Sequence, residues 1–104
     1  MAQFIYQFLP DERADLATNP QAWSASNEFV AAEHFAYLQQ GLADGVVVLA
    51  GRAQDGIGPA IVIIEVDTAE VAEAFMMSDP FVSSGLFEAN LHRYQIALSR
   101  PVSP

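Results

Sequence analysis

An α+β domain with the element order β-α-β-β-α-β is what this sequence predicts, and three observations carry it. Four stretches rich in branched and aromatic residues read as strands: Gln3 to Leu9, Val46 to Ala50, Ala60 to Val66 and Leu86 to Leu98. Two stretches with apolar residues at helical spacing, around Phe29 to Leu42 and around Val71 to Phe75, follow the first and the third of them. At 104 residues with 52% hydrophobic content the chain can build one core, so residues 1–104 form a single domain. Interleaved in that order, the elements give a four-stranded antiparallel sheet with two helices on one face, the ferredoxin-like or split βαβ arrangement.

The first strand stops at Pro10, and the period of two puts Phe4, Tyr6 and Phe8 on one side of it. A polar connection leads to Asn19-Pro20, where Asn19 as N-cap and Pro20 at the first helical position form a local helix start, with Trp23 anchoring the segment. Two starts stay open for the first helix, one near Pro20 and one near Ser26-Asn27. From there Phe29, Val30, Ala32, Phe35, Ala36, Leu38 and Leu42 recur at helical spacing, and Asp44-Gly45 supplies the stop. His34 lies beside Val30, Tyr37 and Leu38 on the helix surface, which faces it toward a packed or pocketed side.

Val46 to Ala50 shows no alternation, the mark of a strand covered on both faces. Gly51 to Pro59 is a hairpin connection. Its glycines do not make a phosphate loop, because no Gly-Lys-Ser/Thr follows and the next element is a strand. Ala60 to Val66 is the strongest strand and is apolar on both sides. Asp67-Thr68 caps the second helix, Glu70 complements its dipole, and Val71, Ala74 and Phe75 form its buried stripe, with Met76 and Met77 filling core gaps. Pro80 pushes Asp79 out of the α region and breaks the helix, and a short turn leads to Gly85. In the last strand, Glu88, Asn90, His92 and Tyr94 share one side and Phe87, Ala89, Leu91 and Arg93 the other, with residues 99–104 as a loose tail. The sheet face away from the helices would expose branched residues of the middle strands, a larger apolar patch than soluble monomers leave open. A homodimer with stacked sheets, a dimeric α+β barrel, is therefore expected.

Composition narrows the function classes. Thirteen acids against four arginines, Arg13, Arg52, Arg93 and Arg100, and no lysine give a net charge of −9. Nucleic-acid binding draws on clustered Lys and Arg that this chain lacks, so no nucleic-acid partner is expected. The absence of cysteine removes disulfides, thiolate catalysis and Cys-ligated metal, and two histidines without closely spaced ligand partners speak against a metal site. No apolar run of about 18 residues exists to span a membrane, and the N-terminus has no basic region or small-residue cleavage pattern; a cytoplasmic protein without a cofactor is the expectation.

Among the residues able to do chemistry, His34 and Asp79 stand out. An imidazole poised for proton transfer needs a partner that fixes its tautomer, and Asp79 sits on a rigid turn before a proline. The spacing is equally consistent with Asp79 as the cap of the turn after Pro80 and His34 as a satisfied polar group in the core. Tyr6, as a donor to a bound oxygen, His92, with Asn90 and Tyr94 along one side of the last strand, and Arg93, as a holder of a ligand carboxylate, are further candidates for substrate contact. No serine stands in a nucleophile-elbow context.

Several stretches taken in order, Glu33-His34-Phe35-Ala36-Tyr37-Leu38, Val48-Leu49-Ala50-Gly51, Ile61 to Val66, Asp79-Pro80-Phe81 and Gly85-Leu86-Phe87-Glu88, resemble the YCII-related family over about Glu28 to Tyr94. The resemblance implies a dimeric ferredoxin-like fold with an active-site His and Asp at His34 and Asp79. One branch of the family looks like dehydrochlorinases of chlorinated hydroxyquinols, and the wider dimeric α+β barrel superfamily includes muconolactone isomerases and cofactor-free monooxygenases. Where the family commonly has Ala-Gly-Pro this chain has Ala50-Gly51-Arg52, and where a basic residue commonly precedes the histidine it has Glu28 and Glu33; Arg52 supplies a replacement cation. The expectation is a cofactor-independent lyase or isomerase acting on a small oxygenated substrate, an aromatic or a lactone, with His34 as base, Asp79 as its partner and Arg52 or Arg93 steadying negative charge. The alternative is a dimer that binds a small ligand without turnover, or a purely structural module if no pocket is open.

Overall fold

Seven elements follow one another along the chain in a computed structural model that describes residues 1–9, 24–55 and 58–100. They are β1 (Ala2–Phe8), α1 (Ala25–Ala43), β2 (Val47–Arg52), β3 (Ala60–Val66), α2 (Ala69–Ser78), α3 (Pro80–Ser83) and β4 (Ala89–Tyr94). All strand pairs are antiparallel and the sheet order is β2-β3-β1-β4, the ferredoxin-like order with the two middle strands of the sheet coming from β1 and β3.

The first helix starts at Ala25. Ser24 is extended (φ −75°, ψ 169°), its side chain accepts from Asn27 N–H, and the Asn27 side chain accepts from Ser24 N–H in return. This reciprocal cap resolves the two starts in favour of the second, displaced by a few residues from Asn27. The cap at Asn19-Pro20 and the anchor at Trp23 lie outside the described residues.

Register decides which face each strand residue takes. Phe4 pairs with Ile64 and Arg93, Tyr6 with Val62 and Leu91, and Phe8 with Ala89, so these side chains share the face under the helices. Phe4, Tyr6, Val62, Ile64 and Val66 are buried there with Leu38 of α1 and with Ala72 and Met76 of α2. Each large apolar side chain so buried contributes about 1.5–3 kcal/mol. Gly41 lets α1 settle on the sheet: a Cβ there would stand 2.8 Å from Val47 Cγ2 and 3.0 Å from Phe75 Cζ, closer than real Cβ atoms pack.

Four expectations are corrected. β2 is not covered on both faces: Val47 is buried, but Val48 is 40% and Leu49 44% exposed, because β2 is the edge of the sheet and α1 crosses only its start. The apolar face read for α1 is only partly used, with Leu38 buried and Phe29, Phe35 and Leu42 exposed, since the helix stands away from the far end of β2. The buried stripe of α2 is Ala72, Met76 and part of Phe75, while Val71, Ala74 and Met77 face outward. The last strand is Ala89–Tyr94 rather than a run from Leu86 to Leu98; Gly85 at φ +80° turns the chain, and Leu86 and Phe87 are buried before the ladder begins.

One irregularity steers the site. β2 carries a bulge between Val47, opposite Ile64, and Leu49, opposite Ile63, with Val48 as the extra residue. Strict alternation from Val47 would send Arg52 to the face away from the helices. The bulge resets the parity, so Ala50 pairs with Val62 and Arg52 with Ala60, both on the helix side.

Candidate functional site

The break between α2 and α3 places one carboxylate. Asp79, at φ −62° and ψ 127°, ends α2 and caps α3, and Pro80 takes the first position of the new helix. Its side chain is 0% exposed. A buried carboxylate is tolerated only when donors reach its oxygens, and here both are reached. Phe81 N–H donates to Oδ1 at 2.9 Å and the Tyr6 hydroxyl to Oδ2 at 2.8 Å.

His34, 45 residues earlier on α1, completes the set, with Nδ1 2.6 Å from Asp79 Oδ1. Phe81 N–H and the Tyr6 hydroxyl both donate to the carboxylate, which marks it as an acceptor; Nδ1 therefore carries a hydrogen, and the neutral imidazole has its lone pair on Nε2. The imidazole plane is held as well. Phe81 stacks on it at 3.9 Å between centroids and 13° between planes, and Phe8 meets it edge-on at 5.6 Å. The His34 side chain keeps 14% of its surface, and its hydrogen bond among the described residues is made by Nδ1 and not by Nε2. The capping role of Asp79 and its pairing with His34 thus coexist on one carboxylate.

His34 opens on a cavity of about 700 Å³ between α1 and the β2–β3 end of the sheet, within the range of small-molecule sites. Its walls are mostly apolar, from Phe8, Leu38, Phe81 and Phe87, and the polar side chains on them are those of His34, Gln39 and Arg52. The exposed Phe35 and Leu42 of α1, and Val48 and Leu49 of β2, form its outer walls.

The structure brings four of the six expected site residues to this region. His34 and Arg52 line the cavity, Asp79 sits behind His34, and Tyr6 sits behind Asp79, fully buried and directed to the carboxylate rather than to a ligand. His92 pairs with Ile5 and lies on the opposite sheet face. Arg93 stands over the Phe4 ring at 5.9 Å, at the β4 edge, away from the cavity. Phe81, Phe8 and Phe87 were not among the expected residues; the Asp79-Pro80-Phe81 turn was the signal that pointed at Phe81.

Burial first, then the Asp79 charge and hydrogen bond, push the Tyr6 phenol far above its ordinary 10.0. Tyr37, which donates to Phe75 C=O at 2.8 Å, is shifted upward by burial and Asp79 as well. The fold favours the protonated phenols, so this contribution is whole while both folded and unfolded chains keep the proton. It declines once the unfolded chain begins to lose it, above about pH 10. Urea unfolding measured across that range should show stability falling with pH, and Tyr6→Phe should remove the Tyr6 share of the slope and leave that of Tyr37; an unchanged slope would contradict the assignment.

The described residues thus form a ferredoxin-like α+β fold with a buried acid, an imidazole held against it and a largely apolar cavity at the helix–sheet seam. The chain belongs to the YCII-related domain family, whose signature matches residues 12–91. None of the curated proteins matches the sequence. Among solved structures, the 5-chloro-2-hydroxyhydroquinone dehydrochlorinase of Burkholderia phenoliruptrix, in complex with 2,5-dihydroxybenzoquinone, is similar in fold. It aligns over 91% of this chain and 94% of its own at a TM-score of 0.60 and 20% identity. No helix among the described residues is long and apolar enough to cross a membrane.

Proposed function

We propose that the protein is a small cofactor-independent enzyme of lyase or isomerase type, with His34 as its base and Asp79 as the partner of that base. The observation that carries this reading is the 2.6 Å contact between His34 Nδ1 and a fully buried carboxylate at the wall of an open cavity. A histidine merely satisfied in the core has no need of a free Nε2 beside a space the size of a small molecule. The similar dehydrochlorinase acts on an oxygenated ring, which agrees with the cavity's largely apolar walls.

In this reading Nε2 takes a proton from a carbon or hydroxyl made acidic by a neighbouring carbonyl or ring. The electron pair left behind forms an enolate or phenolate, and Arg52 steadies the negative charge. It then either expels a leaving group with its bonding pair, giving a lyase, or is reprotonated at another position by the imidazolium, giving an isomerase. Asp79 stabilises the imidazolium that forms between these steps. A thermal-shift screen against small phenols, lactones and keto acids tests the ligand class. A binder at 100 times its Kd adds about 2.7 kcal/mol of stability, a shift of about 10 °C or more in a domain of this size. A screen without a hit in these classes would count against the reading.

The same reading includes a homodimer. The open sheet face carries Ile5, Ile61 and Ile63 on its two middle strands and Leu49 on its β2 edge, and Asn90 Oδ1 on that face is buried without a hydrogen-bond partner among the described residues. A second sheet stacked there would cover the apolar residues and offer Asn90 a donor. Sedimentation at micromolar concentration should give twice the monomer mass; a monomer would exclude the stacked arrangement.

A further inference from the structure

Tyr6 sits at the centre of the sheet, on β1 between Val62 of β3 and Leu91 of β4. Phe8 stands edge-on to its ring at 5.9 Å and Phe75 lies tilted at 6.5 Å, so the ring has little room to swing. A buried phenol needs one acceptor, and any backbone carbonyl would serve. This one reaches the carboxylate that holds His34, and it takes the oxygen that His34 leaves over: Oδ1 is shared by His34 Nδ1 and Phe81 N–H, and Oδ2 receives Tyr6. Asp79 is thereby fixed from both ends, by a turn on one oxygen and by a central strand of the sheet on the other.

We infer that Tyr6 is a positioning residue that sets the strength of the His34 base through Asp79. A donor on Oδ2 draws negative charge away from Oδ1, which weakens the pull of Oδ1 on the His34 Nδ1–H and so moderates the proton affinity of Nε2. Held on a central strand, Tyr6 applies that moderation at a fixed distance. The inference rests on the reading of His34 as the base, yet the coupling from Tyr6 to His34 is a property of the protein without substrate and can be measured alone.

Two replacements of opposite sense test it. In Tyr6→Phe the donor is gone, Oδ1 pulls harder, and the His34 Nδ1–H proton resonance should move downfield. The acid limb of kcat/KM on any substrate found should move to higher pH by about half a unit, a fraction of what one hydrogen bond is worth, with KM little changed. Site-specific 3-fluorotyrosine in place of Tyr6 keeps the ring and makes the phenol a stronger donor, and the same resonance should move upfield. Shifts of opposite sign establish the coupling. A resonance that stays at its wild-type position in both, or moves the same way in both, reduces Tyr6 to a satisfied core hydroxyl. Should Tyr6→Phe fail to fold, the sign of the shift in the fluorinated protein decides alone. Neither resonance measurement needs turnover, so a failed enzyme reading, seen as unchanged activity in His34→Ala, is told apart from a failed coupling.

Discussion

His34→Ala is expected to fold, to keep its ligand and to lose turnover by 10² to 10⁴, roughly the worth of a positioned base. The expectation of a folded variant follows from the geometry. His34 is partly exposed at the cavity wall and Leu38 carries the burial of α1 in the core, so the truncation enlarges an existing cavity. Asp79 keeps Tyr6 and Phe81 as donors when the imidazole goes, so its charge stays partnered. Of the apolar walls that would hold a ligand, Phe8 and Phe81 lose their ring contacts with His34 but keep those with each other and with Phe87. Activity and affinity should therefore separate: kcat falls, while the thermal shift produced by a screened ligand persists. That separation also divides the two functional classes. A protein that only binds would show an unchanged ligand shift and no activity in either form, and turnover equal to wild type in the variant would remove His34 from the chemistry.

The extent to which this site was legible in the sequence depended on the range of the interactions involved. Asp79 was legible as a helix break because Pro80 acts on its immediate neighbour, and Thr68 as a cap because capping spans three residues. The contact of His34 with Asp79 spans 45 residues, and no local pattern encodes it; spacing left the pair open and the family resemblance supplied it. The face of Arg52 was not legible at all. Val46 to Ala50 is apolar at every position, so it carries no parity, and only the bulge at Val48 decides that Arg52 turns toward the cavity. Tyr6 was legible as an inward aromatic, but its hydroxyl partner lies 73 residues away on another element. The exposed Phe29, Phe35 and Leu42 mark the opposite failure: helical spacing shows that a face is apolar, not whether the sheet extends far enough to meet it.

Replacement of Asp79 should separate stability from chemistry. In Asp79→Ala three donors lose their acceptor at once, Tyr6 O–H, Phe81 N–H and His34 Nδ1–H, and the first two are held where water cannot easily replace it. Each buried donor left without an acceptor costs about 1–3 kcal/mol, so the sum is a large share of the 5–15 kcal/mol that holds a domain together. Asp79→Asn should cost less, since the amide fills the same volume and retains one acceptor. Its orientation is constrained: with the NH₂ toward Phe81 N–H and His34, donor would face donor, so the oxygen stays on that side and the NH₂ turns to the Tyr6 oxygen. The imidazole then keeps its place and tautomer but faces a neutral group, and the imidazolium formed during turnover is no longer stabilised by a charge. Urea unfolding of the two variants should therefore rank Ala well below Asn in stability, while both lose activity to a similar degree. An Asp79→Asn protein with wild-type kcat would show that the carboxylate only builds the turn, and that the charge beside His34 plays no part in the reaction.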